Sequence, residues 1–170
     1  MGSLMLIIAF GAIALLTGAD QIIKVWAIDN LKGQPSKEFI SFGNTKILNL
    51  TYLENDGAVF GSFGGMRWVL ICVTAALMAF CIYYMIKNKK EILTLVSMTL
   101  IISGGMGNII DRLFRGGRVV DYFDVQFMNF AVFNFADCCV VVGVIILLIQ
   151  IIVLDFVKKD NKNGTVQKNE

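Results

Sequence analysis

The sequence predicts an all-α integral membrane protein with four transmembrane helices and a small extracytoplasmic β-structure between helices 1 and 2. Three observations carry this prediction. Of the 170 residues, 56% are hydrophobic and only 16% charged, whereas soluble domains are about 45–50% apolar and about 25% charged. Four apolar runs approach the roughly 20 residues that cross a bilayer as a helix. Between the first two runs lies a glycine-bearing segment with the only proline, Pro35, and a stretch that alternates apolar and polar residues. Residues 1–157 therefore form a single four-helix transmembrane domain, and residues 158–170 a polar, disordered tail.

The first span covers residues 4–27. No positive side chain precedes its apolar core, and Thr17-Gly18-Ala19 only weakly imitates a cleavage site, so it reads as a retained helix rather than a signal peptide. Asp20 and Lys24 are spaced i, i+4 and share a face near one end, either as a structural ion pair or as part of a site. Residues 29–65 form the β-segment. Residues 46–53 (KILNLTYL) read as a strand, and residues 38–42 pair with them across the Gly43-Asn44 turn. The second span covers residues 68–85. A charged turn follows at Lys87, Asn88, Lys89, Lys90 and Glu91. The third span, residues 92–110, ends in Asn108, Asp111 and Arg112, which share one helical face. Residues 113–128 read as a polar, glycine-bearing connection, and residues 131–157 hold the fourth span.

Four spans place both termini on one side. Seven Lys or Arg fall on that side and eight on the other. The tight Lys87, Lys89, Lys90 cluster is the sharper signal, and by the positive-inside rule it assigns the termini to the cytoplasm. Asp20, the β-segment and the start of the fourth helix then lie at the outer face.

Composition excludes several classes. The net charge of +2 and the scattered basic residues leave no nucleic-acid footprint. Histidine is absent, which removes Ser-His-Asp and Cys-His catalysis and argues against a zinc site. Cys72, Cys81, Cys138 and Cys139 form no CxxC pair and read as small packing residues.

Residues 104–137 hold Asp111, Asp121, Asp124 and Asp137, four of the thirteen acidic residues, between two apolar runs. Acids near a bilayer are expensive to keep and point to function. With Asn134 as N-cap, Asp137 occupies the third helical position, near the positive end of the helix dipole. If the fourth helix packs beside the Asp121 segment, two carboxylates meet and share a proton. One then takes a proton from water while the other, protonated, donates to a scissile carbonyl. Spacing alone leaves Asp124 an equal candidate, and it leaves open that Asp137 and Asp121 are merely a helix-terminal acid and a loop acid.

Five segments, in order, are similar to the lipoprotein signal peptidase (signal peptidase II) family. They are Asp20-Gln21-Ile22-Ile23-Lys24; Asn55-Asp56-Gly57-Ala58-Val59-Phe60-Gly61; Gly104-Gly105-Met106-Gly107-Asn108-Ile109-Ile110-Asp111-Arg112; Val119-Val120-Asp121-Tyr122-Phe123; and Phe133-Asn134-Phe135-Ala136-Asp137. The resemblance covers residues 5–155. It implies a bacterial plasma-membrane aspartic endopeptidase that cuts diacylglyceryl-modified prolipoproteins just before the lipidated cysteine. It implies Asp121 and Asp137 as the catalytic pair, with Asp20, Lys24, Asn55, Gly57, Asn108, Arg112 and Asn134 shaping the site or holding substrate. Asp111 joins these from its face beside Asn108 and Arg112. The resemblance further implies inhibition by globomycin-type peptides, contact with membrane lipid, and no metal or organic cofactor. Val59 and Gly105 depart from alanines common in the family. The glycine-rich residues 55–65 are expected to close over the site as a lid. The competing reading is a small four-span transporter or channel with a polar path of Asp, Asn and Arg.

Overall fold

The computed structural model describes residues 1–57 and 65–166, with side chains described to Val153. Seven elements follow in chain order: α1 (Gly2–Leu31), β1 (Lys37–Phe42), β2 (Thr45–Asn55), α2 (Arg67–Lys87), α3 (Ile92–Phe114), β3 (Val119–Val125) and α4 (Phe135–Val166). All four helices are long and apolar enough to cross a membrane. The first three expected spans fall inside α1, α2 and α3. The fourth begins later than its composition suggests, at Phe135 rather than residue 131, because Asn134 caps it. The assigned helix α4 also continues past Lys158 to Val166, where a disordered tail is expected from composition.

The fold is not all-α. A three-stranded antiparallel sheet has the order β1-β2-β3. Its first two strands lie between α1 and α2, but the third comes from the α3–α4 connection. The expected hairpin is present: Phe42 faces Thr45 across the turn, and Gly43 takes the left-handed backbone (φ 59°) that this tight turn requires. On the other side of β2, Leu53 pairs with Asp121 and Asn55 with Val119. Val119, Val120, Asp121 and Tyr122 are all buried. A strand covered on both faces shows no alternation, so it reads as connection in the sequence.

Helix α3 is the most buried of the four and forms the centre of the bundle. Ile102, Met98 and Leu95 pack with Ala9 and Ile13 of α1 and with Met78, Cys81 and Met85 of α2. A second apolar cluster joins the sheet to the end of α1 through Ala27, Leu31, Val120 and Tyr122. Without a hydrophobic force between helices in lipid, small residues that let backbones approach decide where helices meet. Gly104 and Gly107 do this here. A methyl group at Gly104 would collide with the Ala136 carbonyl oxygen, and one at Gly107 with the Asp20 carboxylate. Gly143 makes the matching approach from α4, where a methyl group would lie 2.8 Å from the Ser97 carbonyl oxygen. The Gly104 and Gly107 contacts bring α1, α3 and the first turn of α4 together at one end of the bundle, beside β3.

Candidate active site

The charged centre of that junction is Lys24. It is fully buried in α1, and its three ammonium protons have three partners: Asp20 Oδ2 at 3.0 Å, Asp111 Oδ2 at 2.9 Å and Asn108 Oδ1 at 3.0 Å. A buried cation persists only when its charge and its donors are matched in this way. Two of the three partners then reach the first turn of α4, and the third reaches β3. Asp20 Oδ1 accepts the Ala136 N–H in the first turn of α4 (3.1 Å). Asp111 Oδ2 accepts the Val120 N–H of β3 (3.1 Å). Asn108 donates from Nδ2 to Asp137 Oδ1 (2.8 Å).

Helix α4 starts on a reciprocal cap. The Asp137 N–H donates to Asn134 Oδ1 (3.0 Å), and the Asn134 N–H donates to Asp137 Oδ2 (3.1 Å). This is the capping-box geometry with an aspartate at the third position. The Asn134 side chain is fully buried, and its amide donates to Asp121 Oδ1 at 2.6 Å and to Asn108 Oδ1 at 3.2 Å. Asn134 therefore touches both candidate carboxylates. Asn55 holds the second oxygen of Asp121, donating from Nδ2 to Oδ2 (3.1 Å), while its own Oδ1 accepts the Gly57 N–H (3.0 Å). Arg112 closes that edge by donating from Nη2 to the Gly57 carbonyl (2.8 Å). Among the described residues, its Nε has no partner.

The two carboxylates differ in environment. Asp121 is buried, whereas Asp137 is only partly buried. Burial, followed by the neighbouring negative charge of Asp137, pushes the Asp121 carboxyl up to about 7, against the opposing hydrogen bonds from Asn55 and Asn134. A carboxyl poised near neutrality beside a second carboxylate is suited to proton transfer in both directions.

All ten residues singled out from the sequence as site residues (Asp20, Lys24, Asn55, Gly57, Asn108, Asp111, Arg112, Asp121, Asn134 and Asp137) meet in this one network. Asp124 does not. Its Oδ2 accepts from Thr51 Oγ1 (3.2 Å), which is paired in turn with Ser36 Oγ. Sequence reasoning missed Gln21. Its Nε2 donates to Asp20, to the Gly107 carbonyl and to Asp111 at 3.1–3.2 Å. Its place between two residues already on one helical face was the available signal. Also missed was Tyr122, whose hydroxyl accepts the Phe135 N–H (3.1 Å). The expected lid falls largely on residues 58–64, Val59 included, which lie outside the described residues. At Gly105, an alanine methyl would press on Met78 Sδ at 3.1 Å, so glycine suits this packing. Among the described residues, no cluster of three His, Cys, Asp or Glu is placed to hold a metal ion.

Comparison with known proteins gives the family. A family model described as Signal peptidase (SPase) II matches residues 12–153. The lipoprotein signal peptidase of Streptococcus agalactiae serotype Ia is 41% identical over 81% of this chain and 86% of that relative. That of Enterococcus faecalis is 39% identical over 95% of this chain and 98% of the relative. A solved bacterial membrane enzyme superposes with a TM-score of 0.75 at 27% identity, covering 85% of this chain and 87% of the other. A second reaches 0.74 at 28% identity, covering 84% and 91%. The chain belongs to the signal peptidase II family.

Proposed function

We propose that the protein cleaves the signal peptide from diacylglyceryl-modified prolipoproteins just before the lipidated cysteine, with Asp121 and Asp137 as the catalytic pair. The observation that carries this reading is Asn134, which hydrogen-bonds to one oxygen of Asp121 and also caps α4 against Asp137. Asp137, in the first turn of α4 at the positive end of its dipole, serves as the base. Asp121, buried and raised to about 7, carries the shared proton. Water attacks the scissile carbonyl carbon as Asp137 takes its proton and Asp121 donates to the carbonyl oxygen. The tetrahedral intermediate collapses when the hydroxyl returns its proton to Asp121, the C–N bond breaks and Asp137 protonates the departing amine. The cysteine amine becomes the new N-terminus, and the dyad returns to its starting state.

The remaining groups hold this pair and the substrate. Arg112 and Asn55 flank Asp121 and shape the site around it. The Lys24 network fixes β3 and α4 from behind. Both termini are assigned to the cytoplasm, which puts the sheet and the dyad at the outer face, at the depth of the substrate's lipid. Globomycin-type peptides are assigned to the same cleft as inhibitors. Reconstituted into vesicles, the full-length protein is expected to cleave a diacylated prolipoprotein and to be blocked by globomycin. Equal cleavage of the unlipidated precursor, or turnover indifferent to globomycin, contradicts the assignment.

A further inference from the structure

Away from the dyad, a cleft of about 280 Å³ opens behind β3. Part of its lining is apolar or aromatic: Ile28, Tyr52 and Val120. Its charged lining is Lys32, Arg115, Arg118 and Glu54, three cations to one acid. The placement of these cations is informative. Lys32 directly follows α1 and Arg115 directly follows α3, so both stand where apolar helices leave the membrane. Arg118 directly precedes β3. Headgroup phosphates lie at that depth in either leaflet of a bilayer, and guanidinium and ammonium groups pair with phosphate oxygens.

The cations are also held in position. Glu54 Oε1 accepts from Lys32 Nζ (2.8 Å) and from the Tyr52 hydroxyl (2.7 Å), and Oε2 accepts from Arg118 Nη1 (2.9 Å). These three donors keep the Glu54 carboxyl down at about 2, so it stays ionised as a fixed strut. Arg115 Nη1 is held from beneath by Asp111 Oδ1 (2.8 Å). Among the described residues, each guanidinium engages these carboxylates through one nitrogen, so its other donors can meet an anion. Two preset guanidinium groups and an ammonium match the oxygens of a phosphate. The apolar part of the lining suits the carbon atoms next to it.

We propose that this cleft binds the phosphate of an anionic lipid headgroup on the side of the membrane that carries the sheet. The test uses the full-length protein in a neutral detergent, titrated with short-chain phosphatidylglycerol and, separately, with short-chain phosphatidylcholine and inorganic phosphate. The cleft variant Lys32→Gln with Arg118→Gln is compared with a hairpin variant of equal charge, Lys37→Gln with Lys46→Gln. All four lysine and arginine side chains are exposed, and unchanged circular dichroism spectra check that both variants fold. The cleft pair is expected to weaken phosphatidylglycerol binding by about tenfold or more, and the hairpin pair by less than about twofold. Phosphatidylcholine and inorganic phosphate are expected to bind more weakly than phosphatidylglycerol. Equal loss in the two variants, which means diffuse surface charge, overturns the proposal, as does no loss in the cleft variant. Inorganic phosphate binding as tightly as phosphatidylglycerol overturns the lipid assignment in favour of a soluble anion.

Discussion

Replacing Asp121 with asparagine should stabilise the protein near neutral pH while abolishing its activity. The Asp121 carboxyl sits at about 7 in the folded protein, up from 3.8, because burial and the charge of Asp137 disfavour its ionised form. The folded state therefore keeps a proton that the unfolded chain releases. The stability this contributes is complete below about 3.8 and is lost as pH rises through about 7. At about 1.4 kcal/mol per pH unit, the rise corresponds to about 4 kcal/mol of destabilisation by pH 8. The asparagine side chain has no charge to bury. It does set an NH₂ against one of the amide donors, Asn134 Nδ2 or Asn55 Nδ2, at a cost of about 1–2 kcal/mol. The expected net gain is about 2–3 kcal/mol at pH 8, shrinking and then reversing towards pH 4. The assay is thermal unfolding in detergent from pH 4 to 8, followed by circular dichroism, with folding confirmed at each pH. Parallel curves for wild type and Asp121→Asn across that range would refute the reasoning.

The same carboxyl bears on catalysis and on the scaffold around it. Cleavage should fall as pH rises through about 7, because the proton Asp121 donates is lost there, and a pH–rate profile with full activity at pH 9 contradicts this. Lys24→Met should cost about 3–5 kcal/mol, since Asp20 and Asp111 are left as buried charges; a melting temperature within error of wild type would show that the ion cluster is not structural. Gly104→Ala forces a methyl against the Ala136 carbonyl, so α3 and α4 must part. Its expected cost is about 1–3 kcal/mol, with turnover reduced more than expression because Ala136 adjoins Asp137.

Much of this architecture was legible in the sequence, for reasons that can be named. Helices that cross a membrane need continuous apolar length, and that length shows in the spans that became α1, α2 and α3. The β1–β2 hairpin was legible because Gly43-Asn44 supplies turn chemistry between two short runs. Strand β3 was not, because Val119, Val120, Asp121 and Tyr122 are buried on both faces and leave no period-two signature. The all-α expectation failed on that strand. Within the site, helical spacing placed Asn108, Asp111 and Arg112 together, and the Asn134 cap was readable from residue type. The link from Asp20 to the Ala136 N–H spans 116 residues of sequence, and only the tertiary approach permitted by Gly107 creates it. Asp121 and Asp124 were equivalent by spacing. They part in three dimensions, where Asp124 turns to Thr51 and Asp121 to Asn55 and Asn134.

That separation makes the central claim testable with three single variants. Cleavage of a diacylated prolipoprotein is measured for purified Asp121→Asn, Asp137→Asn and Asp124→Asn, each shown to be folded in detergent. Asp121→Asn and Asp137→Asn are each expected to lose turnover to background, while Asp124→Asn keeps most of it. Turnover surviving in Asp121→Asn or Asp137→Asn, or lost in Asp124→Asn, would contradict the assignment of the dyad.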